Sequence, residues 1–458
     1  MTLTTNYPDL FPVLKYARRG SVRQALMEAH LNRGHPANLE VLDRLLTKRY
    51  ALARLLDHPH HAAYVTTDKM IGSAEAAAEF IDRVAALTEA RAQADYHRLL
   101  ARKRVDDPEA EGLAWWDRLY YIEVLKTEEH GVDPQALRPF FPFEGVLQGL
   151  LDLTGRLFGL RYEAVEDAGV WHPSVRVLDV YEGPDRLGRV YIDLHPREGK
   201  FSHAASASVL RGVRGKQLPQ ALLMCNFPEP TATDPALMEY NDVVTFFHEF
   251  GHLLHSVLSG RVPWAVHAMD QLEWDFVEVP SQLLEEWARD PEALATFARH
   301  HETGEVLPAE RVEALRGAEA VGRGLLVRRQ MALAALSLNY YNRDPQGLDT
   351  TSFAREVYNR YDPIPWFQGT HFQCGFGHLT GYSAIYYTYM WSLVIAKDLY
   401  GRFREAGSLL DSEKAAGYRR AILDPGSSRP ASELVRAFLG RDHAFDAFEA
   451  WLREGQAG

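Results

Sequence analysis

Between Asn241 and Gly260 the chain reads NDVVTFFHEFGHLLHSVLSG, an apolar run at helical spacing that carries a glutamate between two histidines. On a helix, positions four apart share a face, so His248 and His252 can present two imidazoles to one cation. H-E-x-x-H is the spacing of a zinc site, and Glu249, beside that face, can take a proton from water there. Val244, Phe247, Gly251, Leu254 and Leu258 form one apolar stripe, which is core. The alternative for the histidines is a pair of hydrogen-bonded core residues. A glutamate between them argues against it, because burying a carboxylate without a partner is expensive. His255 lies seven residues from His248, roughly 10 Å along a helix at 1.5 Å per residue, too far to share one ion. It is expected to be a neighbour of the ligands or a structural histidine.

A catalytic zinc needs a third protein ligand and one open position. Glu278, in Phe276-Val277-Glu278-Val279-Pro280, is a carboxylate inside an apolar run and is the expected third ligand. Pro280 lacks an N–H and would bend or begin a helix, which helps fix the direction of that carboxylate. Glu285 and Glu286 read as a solvated helix face. Asp275 is expected either to orient a ligand imidazole or to cap a helix.

A second constellation lies in HFQCGFGHLTGYSAIYYTYMWSLVIAKDLY, residues 371–400. Gly375, Gly377 and Gly381 suggest a mobile loop, and a helix is expected from Ser383, with Tyr386 and Tyr389 on one face. Amide hydrolysis builds a negative tetrahedral oxygen, and a phenol or imidazole aimed at it lowers the barrier. His378, Tyr382, Tyr386 and Tyr389 are candidates; Tyr387 and Trp391 are expected in the core. On spacing alone, an aromatic core helix is the competing reading.

A net charge of −12 argues against a polyanion partner, since phosphate backbones are met by clustered Lys and Arg. Two cysteines, Cys225 and Cys374, exclude a disulfide framework and fit a reducing compartment. The first twenty residues lack the apolar run of a signal peptide, and no stretch approaches the ~20 apolar residues of a membrane span. A cytoplasmic monomer with no nucleic-acid or membrane partner is expected.

The chain is expected to be mainly α. Residues 1–169 read as one helical region, with Asp106–Gly112 as a loop, and 170–458 as the catalytic region. Within the latter, a small sheet, mostly of short strands and hairpins, occupies 170–230, metal-site helices 233–290, and a helical remainder holds the glycine-rich loop 374–382. Expected strands are 175–182, 189–195, 205–210 and 221–227. A strand edge beside the metal helix could pair with an extended peptide. Leu222–Phe227 is the candidate, with an ordinary core strand as the alternative.

HEFGH, DFVEVPSQ and FGHLTGYSAIYYTYMWS, in this order, resemble the zinc peptidases of the thimet oligopeptidase family. DLHPREGKFSHA at 193–204 and AILDPGSSRPASELVRAFLGRD at 421–442 agree with it, and the resemblance runs from Tyr7 across the chain. It implies a multi-helix zincin-type fold with a small, mostly antiparallel sheet before the HEFGH helix and a deep channel for short unstructured peptides, partly walled by 1–169. It implies one Zn²⁺ held by His248, His252 and Glu278, with Glu249 as general base. It also implies Tyr386 and Tyr389 at the substrate carbonyl or oxyanion, and His378 and Tyr382 on a loop that closes on substrate. Two local departures stand: the interval to Glu278 is one residue longer than expected, and HLTGY has one glycine fewer. Family members are longer, with a helical N-terminal region that this sequence lacks. A metalloendopeptidase acting on oligopeptides is expected; a dipeptide-releasing carboxypeptidase and an impaired peptide-binding fragment are the alternatives.

Overall fold

The computed structural model describes residues 3–267 and 272–455. The chain forms two compact units, each assembled from separated segments.

Unit 1 comprises Met1–Val132, Gly317–Met390 and Glu449–Gly458. Its spine is the 33-residue helix Ala74–Asp106, whose N-cap Ser73 accepts a hydrogen bond from the Ala76 amide. Ala77, Phe80, Ile81, Val84, Thr88, Ala92 and Leu99 are buried along it at three-to-four spacing. This face packs on the helix Arg323–Tyr341. Gly324 allows the approach: a Cβ there would stand 2.6 Å from the Ala92 amide nitrogen. Arg91 forms a buried pair with Asp95 at 3.3 Å and donates to the carbonyls of Ala320, Leu452 and Glu454. One side chain thus ties three separated segments together. Residues before Val132 take their packing partners from beyond Gly317, so this unit is not one continuous stretch of chain.

Unit 2 comprises Asp133–Arg316 and Trp391–Phe448. Its five-stranded mixed sheet contains β1 (Arg161–Ala164), β2 (Arg176–Glu182), β3 (Asp185–Asp193), β4 (Ala205–Leu210) and β5 (Gln220–Met224), in the order β1-β2-β3-β5-β4. Three pairings are antiparallel; β3–β5 is parallel. The β2–β3 hairpin and β4 fall where alternation predicts. β1, four residues long, lies in the stretch read as helical. The edge is also corrected: β5 is internal, and β4 occupies the border. β5 is buried at alternate positions, whereas Ala207–Leu210 of β4 are exposed.

Lys200 fixes the ends of β3 and β5. Its ammonium donates to the carbonyls of Asp193, His195 and Cys225 at 2.9, 2.7 and 2.6 Å, and pairs with the Asp193 carboxylate at 2.9 Å. The family-like segment 193–204 therefore serves as a clamp on the sheet. The helix Tyr240–Leu258 packs against β3, β4 and β5 and opens with a reciprocal cap between Glu239 and Asp242. No helix among the described residues is long and apolar enough to cross a membrane.

Candidate metal centre and active site

The helix Tyr240–Leu258 buries Val243, Phe246, Phe247, Phe250, Leu253, Leu254, Val257 and Leu258, so its position in unit 2 is set by packing on several sides. Gly251, inside HEFGH, faces the short helix Val279–Leu284. A Cβ at this position would stand 2.6 Å from the Ser281 Cα and 2.9 Å from the Pro280 carbonyl oxygen. Only glycine permits that approach, and the approach brings Glu278 to the histidines. Pro280 lies in the first turn of the short helix and Glu278 is its N-cap residue, as the proline suggested.

Donor atoms of His248, His252 and Glu278 all lie within 4.8 Å of one another. Glu278 Oε2 is 3.2 Å from His248 Nε2 and 3.1 Å from His252 Nε2. Tetrahedral zinc with bonds of about 2.0–2.2 Å separates its ligand atoms by about 3.3–3.6 Å, so small adjustments would admit the ion. Two imidazoles and one carboxylate are also the right chemistry for it. Among the described residues one other group of three donors reaches this proximity, His300, His301 and Glu302, consecutive residues on a turn.

The supporting contacts favour the same reading. His248 Nδ1 lies 2.7 Å from Glu285 Oε1, so that nitrogen donates to the carboxylate and Nε2 is turned toward Glu278. Arg289 holds the other oxygen of Glu285 at 2.8 Å. Burial would raise the Glu285 carboxyl, but Arg289 and His248 outweigh it and hold it down at about 2. The Ser281 hydroxyl sits 3.1 Å from Glu278 Oε2. Burial would lower the His248 imidazole and raise Glu278; their hydrogen bonds and opposite charges prevail, raising the first and lowering the second.

Two expectations are corrected. Asp275 is buried, but it hydrogen-bonds neither ligand imidazole: His248 Nδ1 goes to Glu285, and His252 Nδ1 has no hydrogen-bond partner. The orienting carboxylate is Glu285, which stands two helical turns beyond Glu278 and so returns to the same face. Nor are Glu285 and Glu286 a solvated pair, since Glu286 is buried against Lys397 at 2.6 Å. His255 is fully buried, and burial pushes its imidazole down to about 3, consistent with a structural neutral histidine.

Glu249 is 7 % exposed, and burial raises its carboxyl above the usual range while His248 and His252 pull the other way. It stands beside both imidazoles without bonding to either, so its oxygens remain available to a water.

The remaining predicted residues gather in unit 1. His378 opens the turn His378–Gly381, and its ring centroid lies 4.9 Å from Tyr386, 5.4 Å from Tyr382 and 5.9 Å from Tyr389. Tyr382 and Tyr389 stack at 5.1 Å, and the Tyr389 hydroxyl is 3.4 Å from His378 Nε2. Burial raises the Tyr386 phenol, keeping it a donor. The helix starts at Thr388, not Ser383. Ser383 instead takes φ 48°, a left-handed conformation, held by its amide to the His378 carbonyl at 3.0 Å and by Ser337 Oγ on its own carbonyl at 2.5 Å. That bend, rather than a helix face, brings Tyr386 to His378.

The model of Peptidase family M3 matches residues 13–454. Oligopeptidase A of Escherichia coli is 31% identical over 462 residues, 97% of this chain and 68% of that protein. A thimet-like oligopeptidase of Dictyostelium discoideum is 31% identical over 96% of this chain and 68% of its own length. Dipeptidyl carboxypeptidase of Escherichia coli is also 31% identical, over 94% and 64%. Among solved structures, PZ peptidase A with inhibitor 2 superposes with a TM-score of 0.60 at 15% identity, covering 97% of this chain and 69% of that one. The family match spans nearly the whole chain, so this chain belongs to peptidase family M3 and is a metallopeptidase.

Proposed function

We propose that the chain is a zinc-dependent endopeptidase that hydrolyses short, unstructured peptides, with His248, His252 and Glu278 as the metal ligands. The convergence of these three donors beside the buried, unbonded carboxylate of Glu249 carries this reading. A divalent ion there supplies the Lewis acid that polarises a peptide carbonyl and lowers the pKa of water. Glu249 takes the proton from the attacking water and delivers it to the leaving amine, a role suited to a carboxyl raised by burial. Glu285 keeps His248 in the tautomer that leaves Nε2 free. Tyr386 and Tyr389 donate to the developing oxyanion, and His378 and Tyr382 close on the substrate; the family pattern and their clustering in unit 1 support these roles. Two buried cysteines, neither in a disulfide, and the probable cytosolic oligopeptidase A of Arabidopsis thaliana among the relatives support a cytoplasmic location.

A dipeptide-releasing activity is the second reading, favoured by the Escherichia coli dipeptidyl carboxypeptidase at the same 31% identity. Product mapping on peptides of graded length separates the two: internal cuts at several positions support an endopeptidase, and dipeptides alone support the second reading. His248→Ala is expected to lose both zinc and turnover. A His248→Ala enzyme that still turns over peptide would sink the ligand assignment.

A further inference from the structure

Unit 1 contains three half-buried guanidinium groups without a carboxylate: Arg49, which donates to the Tyr341 hydroxyl and to the Leu379 and Thr380 carbonyls, and Arg33 and Arg329. Arg329, on the helix Arg323–Tyr341, forms no ion pair and no hydrogen bond with a described residue; its guanidinium carbon lies 5.5 Å from the Trp115 ring centroid. Arg33 donates to the His30 carbonyl at 3.1 Å and to His30 Nε2 at 3.3 Å, both uncharged partners. His30 Nδ1 lies 3.2 Å from the Thr5 carbonyl, which places the ring proton on Nδ1 and leaves Nε2 as the acceptor. Burial, then the charges of Arg33 and Arg329, push this imidazole down to about 4, so it is neutral at physiological pH. The fully buried arginines of the unit are matched, among them Arg23 with Asp117 at 3.0 Å, Arg91 with Asp95 at 3.3 Å and Arg118 with Asp362 at 2.5 Å. Arg33 and Arg329 thus act on one imidazole and have no anion of their own, which makes this part of the unit a locally positive site. A partly desolvated guanidinium needs an anion, and its planar fork suits a carboxylate.

Arg329 adjoins the aromatic cluster. Gln330, next to Arg329, hydrogen-bonds Tyr386, and the charge of Arg329 reaches that phenol. From Trp115 the rings continue through Phe372 at 6.2 Å, then Phe376 at 5.0 Å and Tyr386 at 5.3 Å. A ligand held at Arg329 therefore lies along the same wall as Tyr386.

We propose that Arg329, assisted by Arg33, is a carboxylate-binding subsite for the peptide substrate. This rests on the peptidase reading above and adds a specificity determinant to it. The carboxylate is the chain terminus or an acidic side chain, two sources with one chemistry. The subsite binds the substrate and takes no part in proton transfer, so its effect belongs mainly in KM.

The test uses the zinc-loaded full chain and three quenched peptides of one sequence: a free C-terminus, an amidated C-terminus, and an amidated form with glutamate as its last residue. The wild type is expected to cleave the free acid with a kcat/KM about tenfold above the amide, as loss of a charged hydrogen bond predicts. Arg329→Gln should bring that ratio close to one, mainly through KM, with the rate on the amide retained, and Arg329→Lys should restore part of the preference. Arg33→Gln should act in the same direction but less. A glutamate amide that recovers the rate of the free acid identifies the side chain as the source; one that does not identifies the terminus. Absence of any carboxylate preference in the wild type overturns the subsite. So does a preference that survives Arg329→Gln, or equal loss on every peptide in both Arg329 variants. If the wild type cleaves no peptide, the peptidase reading fails separately. Fluorescence anisotropy of labelled acid and amide peptides then decides: weaker binding of the amide that Arg329→Gln abolishes supports the subsite, and equal binding overturns it.

Discussion

Glu249 and Glu285 flank the same histidine and are driven in opposite directions by their neighbours. Glu249 has no cation of its own, and burial raises its carboxyl above the usual range. Glu285 is anchored by Arg289 and His248, remains an anion, and acts only by fixing the imidazole. Glu285→Gln is therefore expected to weaken zinc binding by about 10–100-fold with the fold intact, measured by competition with a chromophoric chelator. An unchanged zinc affinity would contradict the orienting role. The clustering of His248, His252 and Glu278 was legible in the sequence because a carboxylate among apolar neighbours demands an explanation. Glu285 was not, because the pair Glu285-Glu286 resembles a solvated face; its distance of seven residues from Glu278 was the available signal. Asp275 failed for the opposite reason, since burial was visible in its neighbours but the direction of its side chain was not.

At the level of elements, the centre depends on the close approach of two helices. Gly251→Ala places a methyl group within 2.6 Å of a backbone carbon of Val279–Leu284, and backbone on both sides has little room to yield. The substitution is expected to cost about 1–3 kcal/mol of stability and to weaken zinc binding as well, because Glu278 moves with its helix. Thermal melts and chelator competition on the same variant check this; a variant with normal melting and normal zinc affinity would contradict it. Periodicity revealed the helices and four of the five strands. It did not reveal the order of the strands, because β3 and β5 pair in parallel across an intervening excursion through β4. Alternation in β5 marks a half-buried strand without saying that both its edges are taken, and exposure of β4 follows from that order. The bend at Ser383 was equally hidden, since it rests on Ser337, 46 residues away.

Each unit is held by contacts between segments far apart in sequence. Arg91 joins three segments of unit 1; Lys200 and Asp193 join strand ends and a loop in unit 2. Burial would raise the Asp193 carboxyl, but Arg197, Lys200 and Trp171 together hold it well below the ordinary carboxylate range. A lowered folded pKa contributes stability in full above the unfolded value, about 4, and loses it as pH falls toward the folded value. Asp193→Asn should therefore be less stable than the wild type at neutral pH, with a gap that narrows as pH falls below about 4; denaturant melts across pH measure it, and a constant gap would contradict the assignment. The central claim is that three donors hold one zinc and Glu249 moves the proton. Its most direct test is zinc content and peptide turnover measured on the same preparations of the wild type and Glu249→Gln. The expected result is one zinc per chain in both, with turnover about 10²–10⁴-fold lower in the variant; full turnover in Glu249→Gln, or turnover by a wild-type chain stripped of metal, would contradict it.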